Sequence, residues 1–146
     1  MFKRILVPVD GSQHARRAVD AAAELSKQHE STIFLLHVIR NMSLPREILK
    51  MVQSGEVTES RKEILEDSAA IILETAQERL AEAGIPGVVG THVVGDPASK
   101  IVEHAEQNGV DLIVLGHRGL NPGGDLLGSV ARKLLNTTDL PCLVIT

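Results

Sequence analysis

The sequence predicts an α/β fold, a doubly wound parallel sheet in a single domain over residues 1–146, and three observations carry the prediction. Short apolar runs alternate with longer amphipathic stretches in the order βαβ, insert, αβαβαβ. The runs Thr32–Ile39 and Leu112–Leu115 are too uniformly apolar for strands with one wet face, which places them inside a parallel sheet covered on both sides. The run ends carry turn and helix-start residues: Asp10-Gly11-Ser12, Gly95-Asp96-Pro97 and Gly116. A chain of 146 residues has the length for one full core and is short for two.

The first strand spans Arg4 to Asp10 around Ile5-Leu6-Val7-Pro8-Val9. Proline cannot donate to a ladder, so Pro8 predicts that pairing lapses there and the backbone opens onto a crevice. Ser12 is the expected N-cap of a first helix whose Ala15, Ala18, Val19, Ala22 and Leu25 recur at helical spacing, with Arg16, Arg17, Glu24 and Lys27 away from that face. The second strand follows at Ser31 to Ile39, and two strands joined through a helix make a right-handed βαβ unit. Residues 40–57 are less regular. Met42, Leu44, Ile48, Leu49, Met51 and Val52 supply an apolar set, and Pro45-Arg46-Glu47 can start a short surface helix. A lid or partner surface is the alternative reading.

The next helix runs from Thr58 to Ala83, closed by Gly84, with Ile64, Leu65, Ala69, Ile71, Ile72, Thr75, Ala76 and Leu80 as its apolar set. Val88–Val94 is the third strand. Asp96 as N-cap with Pro97 in the first helical position starts a helix whose apolar face is Ile101, Val102 and Ala105, up to Asn108-Gly109. The fourth strand ends at Gly116, a helix follows from Ser129 to about Asn136, and Pro141–Thr146 forms a fifth strand.

Composition narrows the function. A net charge of −4, no basic block and no Trp or Tyr for base stacking argue against nucleic acid as a partner. No apolar run approaches a membrane span, and the N-terminus reads as a strand rather than a signal peptide. The single cysteine, Cys142, excludes an internal disulfide and fits a reducing, cytoplasmic setting. His14, His29, His37, His92, His104 and His117 are scattered without ligand spacing. A phosphorylated receiver is disfavoured because the third strand ends in Val94-Gly95 rather than in an aspartate.

One stretch suggests chemistry. Gly116 and Gly119 follow the fourth strand and free the turn, through positive φ or close approach of backbone or ligand. Gly128-Ser129 then opens a helix. Serine at a helix start satisfies orphan N–H groups, and the same donors with the helix dipole hold an anion such as phosphate. The stretch lies beyond a strand's carboxyl end, where open parallel sheets bind ligands.

Taken together, Ile5–Ser12, Leu36-His37-Val38, Gly95-Asp96-Pro97, Asp111–Gly119, Gly128-Ser129-Val130 and Pro141–Ile145 resemble the universal stress protein family (UspA-like) over essentially the whole chain. The resemblance implies a Rossmann-like, adenine nucleotide alpha hydrolase-like sheet of five strands in the order 3-2-1-4-5. It also implies a homodimer and, in many members, an ATP site in the crevice between strands 1 and 4. Carried over, Pro8, Val9 and Val38 line an adenine pocket, and Asp10 sits near ribose or a phosphate-bound metal. Leu115, Gly116, Arg118 and Gly119 form the other wall, while Gly128, Ser129 and Val130 hold phosphates. His117 either touches the ligand or faces solvent. The expected cofactor is ATP or AMP with Mg²⁺, the metal falling to Asp10. The fifth strand, an edge with no lysine, proline or bulge within Cys142–Ile145, suits antiparallel pairing with a symmetry mate.

The chain departs from the ATP-binding pattern at one point: eight residues, Leu120 to Leu127, separate Gly119 from Gly128, where the pattern has nine. Pro122-Gly123 suits a type II turn, and Asp125 brings a carboxylate towards the expected phosphates. Two functions follow: a nucleotide-binding regulatory protein with at most slow hydrolysis, or a dimeric interaction protein of the non-nucleotide branch acting through its surface and residues 40–57 on an unknown protein partner.

Overall fold

The computed structural model describes residues 1–40, 58–118 and 127–146, with side chains from residue 62 onward in the helix that begins at Thr58. The expected helix start at Pro45 and the positions of Gly119, Pro122 and Asp125 lie outside the described residues. The elements run β1 (Arg4–Pro8), α1 (Gln13–His29), β2 (Thr32–Arg40), α2 (Thr58–Glu82), β3 (Val89–Gly95), α3 (Pro97–Gln107), β4 (Leu112–Gly116), α4 (Ser129–Thr137) and β5 (Cys142–Ile145). The strands form one sheet in the order β3-β2-β1-β4-β5, and each neighbouring pair is parallel.

Alternating side chains on the central strands feed two cores, one per face. Ile5, Val7, Ile33, Leu35, Leu112 and Val114 pack with α1 and α2. Leu6, Leu36, Ile113 and Leu115 face the other way, onto Ala98, Ile101 and Ala105 of α3 and Ala131 and Leu134 of α4. This two-sided burial explains the uniform apolarity of the central strands. Each such side chain contributes roughly 1.5–3 kcal/mol of transfer free energy.

The helices start where the caps predict. Ser12 Oγ accepts from the Ala15 N–H at 3.1 Å, and Asp96 Oδ2 accepts from the Ser99 N–H at 3.1 Å. Helix α2 differs from its sequence reading. Ile64 and Ile71 are each 63% exposed, and the buried stripe is Ala69, Leu73, Ala76 and Leu80. Those four recur at steps of four, three and four, a single helical face, and Ile64 and Ile71 fall off it.

Strand β1 is treated differently on its two flanks. Its ladder with β2 runs from Arg4↔Thr32 through Pro8↔Leu36, and the Val9 N–H extends it to the Leu36 carbonyl at 2.8 Å. Against β4 the register covers only Ile5↔Leu112 and Leu6↔Ile113. The reason lies in strand parity. The Lys3 carbonyl accepts from Thr32 on the β2 side and the Arg4 carbonyl from Asp111 on the β4 side, so even-numbered residues of β1 address β4. The donor that Pro8 lacks is therefore one that would have pointed at β4. At the opposite end the two strands are clamped, because the Asp111 carboxylate accepts from the Lys3 and Arg4 amides, both at 3.0 Å. Partial burial works against the charged form of Asp111, but these amide bonds prevail and hold its carboxyl below the usual range. Held at the bottom and released at the top, β1 and β4 open a cleft.

Candidate functional site

A cavity of about 580 Å³ occupies that cleft. Pro8, Val9 and Asp10 from the end of β1, Val38 from β2, Leu115, Gly116 and Arg118 from the end of β4, and Gly128, Ser129 and Val130 from the start of α4 all line it. Residues far apart in the chain are brought together because all stand at the carboxyl end of the sheet. Gly119 lies outside the described residues.

The start of α4 departs from the expectation in one respect. The N-cap is Gly128, at φ −61° and ψ 155°, with no side-chain capping bond, and Ser129 is the first residue inside the helix. The Gly128 N–H is spent on the His117 carbonyl at 2.8 Å, and its own carbonyl accepts from Arg132 at 2.9 Å. Among the described residues no acceptor meets the N–H groups of Ser129 and Val130. Both residues line the cavity, so uncapped donors and the positive end of the helix border the same space.

Of the two reasons expected for Gly116, close approach of another backbone is the one met, since the residue is absent from the left-handed region. A Cβ at this position would stand 2.8 Å from His14 Cβ and 2.9 Å from the His14 backbone carbon. The first turn of α1 packs directly on the end of β4, and only glycine leaves room for it.

Asp10 has one oxygen committed, Oδ1 accepting from the Ser12 N–H at 2.9 Å. It is the one carboxylate among the described lining residues, which also include the cations Arg40 and Arg118. No set of three or more His, Cys, Asp or Glu among the described residues is arranged to hold a metal ion. His117 is half-buried against the cavity rather than solvent-facing. Its ring lies 6.2 Å from that of His14, and the Nδ1 atoms of both are buried with no hydrogen-bond partner among the described residues.

The sequence reading missed several lining residues. By sequence His37 is one of the scattered histidines, yet it lines the cavity and its Nδ1 stands 2.7 Å from the Val9 carbonyl oxygen. Arg40 closes β2 at the rim. Leu65 and Ile72 belong to the apolar set of α2, and both also wall the cavity, Ile72 while packing against the core beside it. A signal for His37 exists: it is the one polar residue inside the apolar run Ile33–Ile39, near the run's carboxyl end.

Comparison with known proteins resolves the kinship. The sequence profile described as the Universal stress protein family matches residues 1–146. The chain belongs to the universal stress protein family. Universal stress protein YxiE of Bacillus subtilis is 34% identical over 149 residues, covering 99% of both chains. The structure of MJ0577, a protein of Methanocaldococcus jannaschii, superposes with a TM-score of 0.79 at 34% identity, covering 99% of this chain and 96% of that one. A universal stress protein solved in complex with cAMP superposes with a TM-score of 0.71 at 26% identity, covering 99% of this chain and 97% of that one. The fold is thus shared with a universal stress protein solved in complex with cAMP.

Proposed function

We propose that this universal stress protein is an adenine-nucleotide-binding regulatory protein, taking ATP or AMP in the cleft between β1 and β4 and acting in the cytoplasm in a stress response. One observation carries the reading: the uncapped N-terminus of α4 opens onto a cavity whose other wall is the apolar end of β1 and β2. An anion at that helix end satisfies backbone donors that nothing else among the described residues meets. The base then lies towards Pro8, Val9 and Val38, with Leu115 and Gly116 opposite, and Arg118 adds positive charge near the phosphates. Gly119 belongs to the same wall by sequence position.

Asp10 suits Mg²⁺ brought in with a triphosphate. A single carboxylate fits that ion, which takes most of its ligands from phosphate oxygens and water. The site is read as a binder, with hydrolysis slow at most, because no described lining residue is placed to activate a water against a phosphate whose position the site alone implies.

The homodimer forms through β5, which pairs with β4 on one side only and leaves Leu143 38% exposed. Replacing Val144 with lysine on this edge is expected to release monomers in sedimentation, and an unchanged dimer counts against the interface. No described helix is long and apolar enough to cross a membrane.

Isothermal titration of apo protein with ATP, AMP and cyclic AMP tests the nucleotide reading, which fails if none binds at millimolar concentration. The eight-residue spacing between Gly119 and Gly128 favours a second reading, an interaction protein without nucleotide. On that reading the material released by heating the protein shows no adenine absorbance, and ATP produces no thermal shift.

A further inference from the structure

We propose that His14 and His117 form a two-imidazole site for a divalent transition metal of the zinc type, its other coordination positions filled by water from the cavity. The inference is independent of the nucleotide reading and of Asp10. Two orphaned nitrogens carry it. His14 Nδ1 and His117 Nδ1 are buried, and neither has a hydrogen-bond partner among the described residues. A buried polar atom left unmet costs about 1–3 kcal/mol and is uncommon in a folded protein. Here two such atoms belong to neighbouring rings, whose centroids are 6.2 Å apart and whose planes are inclined by 37°.

The fold brings these rings together and holds them. Because Gly116 has no side chain, the first turn of α1 settles on the end of β4, with His14 Cβ 2.8 Å from where a Cβ of residue 116 would stand. His117 follows Gly116 directly, and its backbone is tied on both sides. Its N–H donates to the Ile145 carbonyl at 2.7 Å, and its carbonyl accepts from the Gly128 N–H at 2.8 Å. His14 sits in a helix whose start Ser12 caps. His117 lines the cavity, as do Ser12 and Ala15 from the turn that carries His14, so an ion and its water enter from that side.

The chemistry of the donor pair selects the ion. A neutral imidazole has one nitrogen lone pair to give, and it suits zinc, copper and nickel, whereas Mg²⁺ and Ca²⁺ take oxygen ligands. At metal–nitrogen distances of about 2.0–2.1 Å, two rings on one ion have centroids roughly 5–6 Å apart. The observed 6.2 Å is within a side-chain rotation of that range. Binding through both Nδ1 atoms satisfies the two orphans at once and leaves each proton on Nε2, which in neither ring is among the buried unpartnered atoms. Two protein ligands, rather than the three or four of catalytic and structural zinc centres, make the site an exchangeable one.

The test is titration calorimetry of the full chain, freed of metal with a chelator, against zinc chloride, together with nitrogen-15 NMR of labelled histidine. The expected result is one equivalent of Zn²⁺ that excess Mg²⁺ does not displace, with the signals of His14 and His117 shifting before those of the other histidines. Loss of a residue that merely orients a metal ligand costs about 10–100-fold in affinity, so His14→Gln and His117→Gln, which remove a ligand, should each weaken Zn²⁺ binding by more than about tenfold. The double variant should be no weaker than either single one, since one remaining imidazole cannot chelate. His92→Gln, at an exposed position on β3, should change nothing. The NMR titration of the unaltered protein decides the matter if a variant fails to fold. Absence of a one-equivalent zinc site overturns the proposal, as does zinc binding undiminished in both single variants or other histidines shifting first. Each of those results would leave a bridging water as the partner of the two nitrogens.

Discussion

Two helices that start on the same side of the sheet begin in opposite ways. Helix α3 has a filled N-terminus: Asp96 Oδ2 accepts from the Ser99 amide at 3.1 Å and the Ser99 hydroxyl at 2.8 Å, and Lys133 reaches the same oxygen from α4 at 2.9 Å. Helix α4 begins at Gly128 with no side-chain cap and faces the cavity. Helix α1 resembles α3, with buried Ser12 as its cap. A helix end that supplies its own anion or hydroxyl is finished by folding. An end that lacks one is finished by whatever enters from outside, and this difference locates the site more sharply than the count of glycines around it.

The largest expected effect comes from making α4 resemble α3. Gly128→Asp puts a carboxylate at the N-cap, where it can accept from the free amides at the start of α4 and repel a phosphate. Affinity for AMP should fall about a hundredfold, ~2.7 kcal/mol. Stability should change by only a few tenths of a kcal/mol, since glycine is itself a tolerable cap. The backbone at Gly128 is in the extended region open to any residue. Calorimetry and urea unfolding measure the two quantities separately, and undiminished AMP binding would break the contrast between filled and open ends.

Much of this architecture is legible in the sequence because local signals agree with the tertiary demand. The strands buried on both faces are apolar throughout, Ser12 and Asp96 stand where caps belong, and the glycine-bounded end of β4 marks the carboxyl edge of the sheet. What was not legible depends on neighbours that periodicity cannot name. Pro8 signals that a ladder lapses, but which flank loses it follows from strand parity and from the partners of Lys3 and Arg4. Gly116 reads as a point of close approach, but that the first turn of α1 is what lies against it is not written in the local sequence. Ile64 and Ile71 look like core by hydropathy, but the line of Ala69, Leu73, Ala76 and Leu80 takes the sheet-facing side. His37 is invisible as a site residue until the Val9 carbonyl appears beside it.

A smaller effect sharpens the comparison from the closed side. Ser12→Ala removes the hydroxyl that accepts from the Ala15 amide in a site only 5% exposed. The expected cost is ~1 kcal/mol, typical of a lost N-cap. Ser12→Gly should also lose the bond, and the buried position allows little compensation by water, so urea midpoints of both variants should fall without a change in slope. A midpoint as high as that of the parent would mean that the cap contributes nothing, and the distinction between filled and open helix ends would lose its energetic basis.

The smallest effect is the one carried by charge at the start of α3. The hydrogen bond from Lys133, followed by those from the Ser99 hydroxyl and amide, holds the Asp96 carboxyl down to about 2 from its ordinary 3.8. The folded state therefore binds the proton less readily than the unfolded one. The contribution is fully present above the unfolded pKa of ~3.8 and is lost as pH falls through about 2. Asp96→Asn should flatten part of the acid limb of the stability curve in that window. Only part is expected to disappear, because Asp20, hydrogen-bonded to Arg79, and Asp111 are shifted in the same direction. The Asp96 side chain is 46% exposed, so salt screens the ion pair while the cap to Ser99 persists. Acid titrations at low salt and in about 1 M salt separate the two parts. Lys133→Met should abolish the difference between the two salt conditions and leave an acid-labile cap, whereas a salt dependence that survives this substitution would place the effect elsewhere in the protein.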